Sequence, residues 1–80
     1  MKAYTVYDSA AQTYSLPIYV VSRGAALRSF MDEVAKEGSA LNAHPEHYSL
    51  FELGEFSQAD ACFSLSASPQ LVANAWELQK

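Results

Sequence analysis

The chain has 80 residues, a net charge of −4, half of its residues hydrophobic and only 18% charged. That length is far below the roughly 250 residues at which one core splits in two, so residues 1–80 are read as a single domain. The composition is too apolar for disorder and too evenly interrupted for a membrane span of about 20 apolar residues, and an acidic balance is the reverse of a basic nucleic-acid-binding patch.

The lone Cys62 excludes an internal disulfide, and no basic leader with an apolar stretch opens the chain. Both features point to a reducing cytoplasm. A domain this small retains roughly 0.05–0.15 kcal/mol per residue, so help from a homo-oligomeric partner, most simply a dimer, is expected.

Ala3-Tyr4-Thr5-Val6-Tyr7 is a β-branched and aromatic run ending at Asp8-Ser9, and it predicts a strand. Tyr14 to Val21 predicts a second strand, antiparallel to the first. Pro17 confines it to a sheet edge or a bulge, because proline donates no ladder hydrogen bond. From Arg23 the period lengthens: Leu27, Phe30, Met31 and Val34 form one helical stripe. Ser22 is a cap for its start, Gly38 a left-handed stop, and Asp32 and Lys36 a favourably ordered i,i+4 pair.

Tyr48 to Phe56 and Cys62 to Ser66, joined by a polar turn around Ser57-Gln58-Ala59-Asp60, predict a second hairpin. The tail 69–80 is read either as a helix capped by Ser68 with Pro69 in its first turn, or as an extended arm. The fold class is therefore α+β: a small antiparallel sheet of two hairpins in ββαββ order, packed on one helix, with a C-terminal helix or arm.

Alternation sends Tyr4, Val6, Leu16, Ile18, Val20, Phe51, Leu53, Phe63 and Leu65 toward the helix and leaves Tyr7, Tyr19, Val21 and Leu50 on the other face. One helix cannot cover both faces. Three arrangements account for the second: the tail folds over it with Trp76 as a plug, two copies meet through it, or it is a base-stacking platform.

Chemistry is sparse. His44 and His47 flank Glu46, but with Cys62 they match no closed zinc pattern, so no metal and no cofactor is expected. Pro45 instead biases His44 to an extended backbone that delivers Tyr48 into its strand. Glu52 and Glu55 fall on opposite sides of a regular strand, Asp8 has no evident partner, and no nucleophile elbow or phosphate loop is present; an enzyme is not expected. Among the few basic residues Arg23, at the start of the helix, is best placed for a phosphate.

The run Tyr4-Thr5-Val6-Tyr7-Asp8, Tyr14, Pro17, then Ala26-Leu27-Arg28-Ser29-Phe30-Met31-Asp32, His44-Pro45-Glu46 and Leu50-Phe51-Glu52-Leu53-Gly54-Glu55-Phe56 resembles, in order across residues 4–56, the small nonstructural protein of gokushoviruses, single-stranded DNA phages of the microvirus family. The resemblance implies a noncatalytic protein made in the infected bacterium, absent from the mature virion and associated with DNA binding or replication, including the switch to single-stranded synthesis and packaging. Arg28 is the basic residue inside a matching motif. With Arg23, Lys2, Tyr7 and Tyr19 it makes up the candidate set for weak single-stranded DNA binding. The rival expectation is an adaptor that docks on a viral or host replication protein without touching DNA.

Overall fold

The protein is described by a computed structural model covering residues 1–78; Gln79 and Lys80, the end of the tail and its basic residue, lie outside the described residues. The elements are β1 (Lys2–Asp8), β2 (Thr13–Tyr14), β3 (Ile18–Val20), α1 (Arg23–Ala35), α2 (Ala40–Ala43), a 3-10 turn (Pro45–His47), β4 (Tyr48–Phe56), β5 (Phe63–Asn74) and α3 (Ala75–Leu78). All strand pairs are antiparallel. β1 is central, with β2 and β3 sharing one side, β4 on the other and β5 beyond it. This is the α+β, ββαββ arrangement expected from sequence, extended by a short C-terminal helix.

Pro17 acts as anticipated. It splits the second strand into β2 and β3 at the sheet edge, and Ser15 repairs the interruption. The Val6 N–H donates to Ser15 Oγ at 3.0 Å, the Ser15 N–H donates to the Val6 carbonyl at 2.8 Å, and Thr5 Oγ1 donates to the Ser15 carbonyl at 2.7 Å. Buried Thr5 is thereby satisfied where the ladder is broken.

The helix begins and ends where the local chemistry dictates. Ser22 accepts from the Ala25 N–H at 3.1 Å, and Gly38 takes φ +91° just beyond the last turn. Its buried stripe is Ala26, Phe30 and Val34, rotated from the expected one: Met31 is exposed and Leu27 only half-buried. Small Ala26 lets the helix approach Tyr4 and Leu50, the largest fully buried side chains, and Ala75 of α3 completes the same cluster. Asp32 and Lys36 form no ion pair; among the described residues Lys2 pairs with Glu55, and the Glu46 carboxylate lies 4.0 Å from His44 and 3.9 Å from His47.

The principal correction concerns β4. Val6 pairs with Leu50, Tyr4 with Glu52 and Thr5 with Phe51, so Leu50 enters the core and Phe51 faces away, the opposite of simple alternation from the sequence. A one-residue change of phase moves a whole strand's side chains between faces. The register then shifts, because Ala3 pairs with Gly54, leaving Leu53 as the extra residue of a bulge. Beyond it Gly54 faces the open side with Ala3, Glu55 faces the helix side with Lys2, and Phe56 falls on the same face as Phe51. Glu52 and Glu55 consequently share a face, each with its own partner: Tyr4 Oη donates to Glu52 at 2.8 Å, and Lys2 Nζ to Glu55 at 3.3 Å. Asp8, too, has partners, accepting from the Ala10 and Ala11 N–H groups.

Leu16, Phe63 and Leu65 are likewise not core residues; they are 87%, 55% and 68% exposed. Leu16 precedes Pro17 outside the ladder, whereas Phe63 and Leu65 pair with Phe56 and Gly54 and face away from α1. Val21 follows β3 and is also exposed. The tail does not start a helix at Ser68. The extended alternative holds instead: the chain continues as the edge strand β5 through Asn74, with Pro69 in the irregular stretch between its two paired portions. Trp76 is half-exposed and α3 packs against α1, so the tail covers the helix side and leaves the second face open.

Tyr4 ties the core to a charge. Burial, then the hydrogen bond to Glu52 and that carboxylate's charge, push its phenol up to about 12, with Arg23 opposing. Because the folded value is raised, the associated stability is fully present below pH 10 and is lost as pH rises through 12.

Three outcomes follow for unfolding by urea or heat. Phe30→Ala should cost roughly 3–5 kcal/mol by opening a cavity at the centre of the stripe. Gly54→Ala should cost at least about 2 kcal/mol, because Gly54 has φ +148° and an added Cβ would sit 2.3 Å from the Ser64 carbonyl oxygen. Tyr4→Phe should diminish the alkaline loss of stability between pH 10 and 12; an unchanged profile would show that Tyr4 does not couple to it.

Candidate functional site

The open sheet face is lined by aromatic side chains from all five strands. At one end Tyr7, Tyr14 and Phe51 form a cluster with ring centroids 4.6, 5.9 and 6.5 Å apart. At the other, Tyr19, Phe56 and Phe63 lie 4.9 to 6.4 Å apart. These are ordinary separations for tilted and edge-to-face rings, which hold one another in place. Every aromatic residue belongs to these two clusters except Tyr4, Phe30, Tyr48 and Trp76.

Strand register assembles both clusters. Tyr7 lies opposite Tyr14, Phe56 opposite Phe63, and Ala3 opposite Tyr19. Thr5 sits between the clusters, while Leu71 beside Phe51 and Leu65 beside Gly54 add apolar surface. The rings remain accessible: Tyr14, Tyr19 and Phe63 are about half-exposed. Beside the second cluster is a hollow of about 400 Å³ lined by Met1, Tyr19, Phe56, Gln58 and Phe63. A contiguous set of exposed rings on a small domain is the kind of patch that marks a binding surface.

Tyr7 and Tyr19, named from sequence, are thus on one face but in different clusters. The basic candidates are elsewhere. Lys2 points to the helix side and is engaged by Glu55. Arg23 is exposed in the first turn of α1, and Arg28 projects from the helix surface opposite Ala26 and Phe30. Among the described residues, no lysine or arginine belongs to the open face. Sequence reasoning missed Tyr14, Phe51, Phe56 and Phe63; for Phe56 and its partner Phe63 the available signal was Gly54 inside a strand pattern, a mark of a bulge that resets alternation.

Two other features are chemically defined. On the helix side, a cleft of about 450 Å³ between α1 and the β2–β3 edge has a floor of Val6, Ile18, Phe30 and Leu50, with Asp8 and Glu33 among its lining residues. At the 3-10 turn, donor atoms of His44, Glu46 and His47 lie within 4.8 Å of one another. Cys62, the remaining sequence candidate for a metal, lies past the opposite end of β4 and is exposed.

No helix among the described residues is long and apolar enough to cross a membrane. Neither a curated protein nor a solved structure matches the chain. A protein-family model does, over residues 1–78, a span that includes the central strand, the helix, the bulged strand and the β5 edge. The aromatic sheet face is therefore a feature of a bacteriophage protein, and the chain belongs to the family described as Phage ORF5 protein.

Proposed function

We propose that this phage protein is a noncatalytic, nonstructural component of genome replication that holds single-stranded DNA weakly by stacking bases on its open aromatic face. The carrying observation is the pair of aromatic clusters on a sheet surface that no helix covers. Stacking tolerates any base, because each has a π-face, and contributes about 1–3 kcal/mol per base. A reversible grip of that kind suits a protein that accompanies single strands during synthesis and is absent from the mature virion. Its place of action is the cytoplasm of the infected bacterium. The order of motifs shared with gokushovirus nonstructural proteins supports the replication role.

The placement of charge sets the expected signature. Single-strand affinity changes with salt by about 0.7 of a log unit per neutralised phosphate. With Arg23 and Arg28 on the helix side, the salt slope for labelled oligonucleotides should be no steeper than about −1 to −2. Tyr19→Ala or Phe63→Ala should weaken binding roughly tenfold at every salt concentration with little change in slope, while Arg28→Ala should have a smaller effect. A steep slope abolished by Arg23→Ala and Arg28→Ala would overturn the stacking mechanism.

A second reading is favoured by the same charge placement. A net charge of −4 and a face without lysine or arginine among the described residues suit an adaptor docking on a viral or host replication protein. Absence of oligonucleotide binding at low salt would select that reading. A homodimer through the aromatic face is the remaining arrangement, and light scattering across protein concentration distinguishes it, since self-association would compete with both ligands.

A further inference from the structure

We propose that the turn His44–His47 is a binding site for a divalent transition metal of the zinc class, with His44 Nδ1, Glu46 Oε2 and His47 Nε2 as ligands. A 3-10 turn has three residues per revolution, so side chains at i and i+3 eclipse. His44 and His47 accordingly stack, with ring centroids 5.8 Å apart and planes 26° from parallel. Glu46 projects its carboxylate between them, 4.0 Å from His44 Nδ1 and 3.9 Å from His47 Nε2. Those separations exceed hydrogen-bond length, and the three donor atoms all lie within 4.8 Å of one another.

The fit to an ion is quantitative. Zinc bonds to imidazole nitrogen and carboxylate oxygen at about 2.0–2.2 Å, which places neighbouring tetrahedral donors roughly 3.3–3.5 Å apart. The two Glu46 contacts, at 4.0 and 3.9 Å, need to contract by roughly half an ångström, and the widest spacing of the set, within 4.8 Å, by at most about 1.5 Å. His44 and Glu46 are exposed and His47 half-buried, so rotation about their side-chain bonds supplies that movement. Two imidazoles and one carboxylate are a donor set used by zinc sites that keep a fourth position for water or another oxygen ligand.

The backbone beneath the ligands is braced. Pro45 occupies the first position of the turn, the His44 N–H donates to the Ala40 carbonyl at 2.9 Å, and the His47 N–H donates to the His44 carbonyl at 3.1 Å. From β1's end, the Ser9 N–H donates to the His47 carbonyl at 2.8 Å. The ligands therefore sit on a turn anchored to both α2 and the sheet, and an ion here would fasten the entry to β4. Sequence spacing set His44, Glu46 and His47 beside distant Cys62 and found no closed zinc pattern, because it does not show that the turn gathers these three donors without the cysteine.

The test is calorimetric titration of the full chain with zinc chloride, paired with cobalt(II) substitution followed by visible absorption. One equivalent should bind, raise the melting temperature and be removed by a chelator. His44→Ala, Glu46→Gln and His47→Ala should each weaken uptake at least about tenfold, with circular dichroism unchanged, whereas Cys62→Ser should leave it intact. No saturable uptake, uptake unaffected by the three turn variants, or uptake lost with Cys62→Ser would each overturn the assignment. Oligonucleotide binding measured on the same variants reports separately on the aromatic face.

Discussion

The absence of a side chain at Gly54 is the constraint on which the rest of the structure depends. At this position β4 carries its bulge and β5 approaches so closely that Ser64 and Leu65 backbone atoms occupy the space of a Cβ. The bulge changes the phase of β4 once, between Glu52 and Gly54. Without it, Phe56 and its partner Phe63 would turn toward the helix layer, and Glu55 would leave Lys2. With it, the six rings of the two clusters share a single surface.

That separation organises the molecule into a covered and an uncovered side. The covered side is closely fitted: alanines at 26 and 75 bring two helices down onto Tyr4 and Leu50, and Ser49 Oγ, hydrogen-bonded to Asn74 at 2.7 Å, fastens β4 to the end of β5. Long-range strand pairing provides most of the order, since α2 and α3 have only four residues each. The uncovered side holds aromatic area that would add to stability if buried. Its retention on the surface is the physical basis for assigning it a ligand or partner.

Much of this was legible in the residues. Ser22 and Gly38 bounded the helix because capping is local, and Pro17 marked an edge because its missing N–H has the same consequence in any fold. The burial of small Ala26 in place of larger Met31 was not legible, since hydrophobic periodicity scores side chains and does not see how closely a sheet lets a helix approach. Pro69 is compatible with a helix start or an extended arm, and it serves the extended edge strand, where it removes no needed donor. For the site, Tyr7 and Tyr19 were found from alternation near the N-terminus, where β1 is regular. Phe56 and Phe63 do not emerge that way, because their phase depends on a bulge produced by tertiary pairing, and Phe51 does not, because Leu50 and Phe51 are adjacent apolar residues and only the pairing with β1 shows which turns inward.

The charge pattern gives the account its functional content. Family membership makes this a phage protein, and an acidic chain with its exposed arginines on the helix layer has little means of gripping phosphates with its sheet. Stacking on rings then becomes the contact available to a single strand. The most direct measurement is a two-dimensional NMR spectrum of the aromatic ring resonances during titration with a short single-stranded oligodeoxynucleotide. Shifts concentrated on the rings of Tyr7, Tyr14, Tyr19, Phe51, Phe56 and Phe63, with Phe30 and the α1 surface unchanged, are the predicted result. Shifts confined to Arg23, Arg28 and their helix neighbours, with the six rings unmoved, would contradict it.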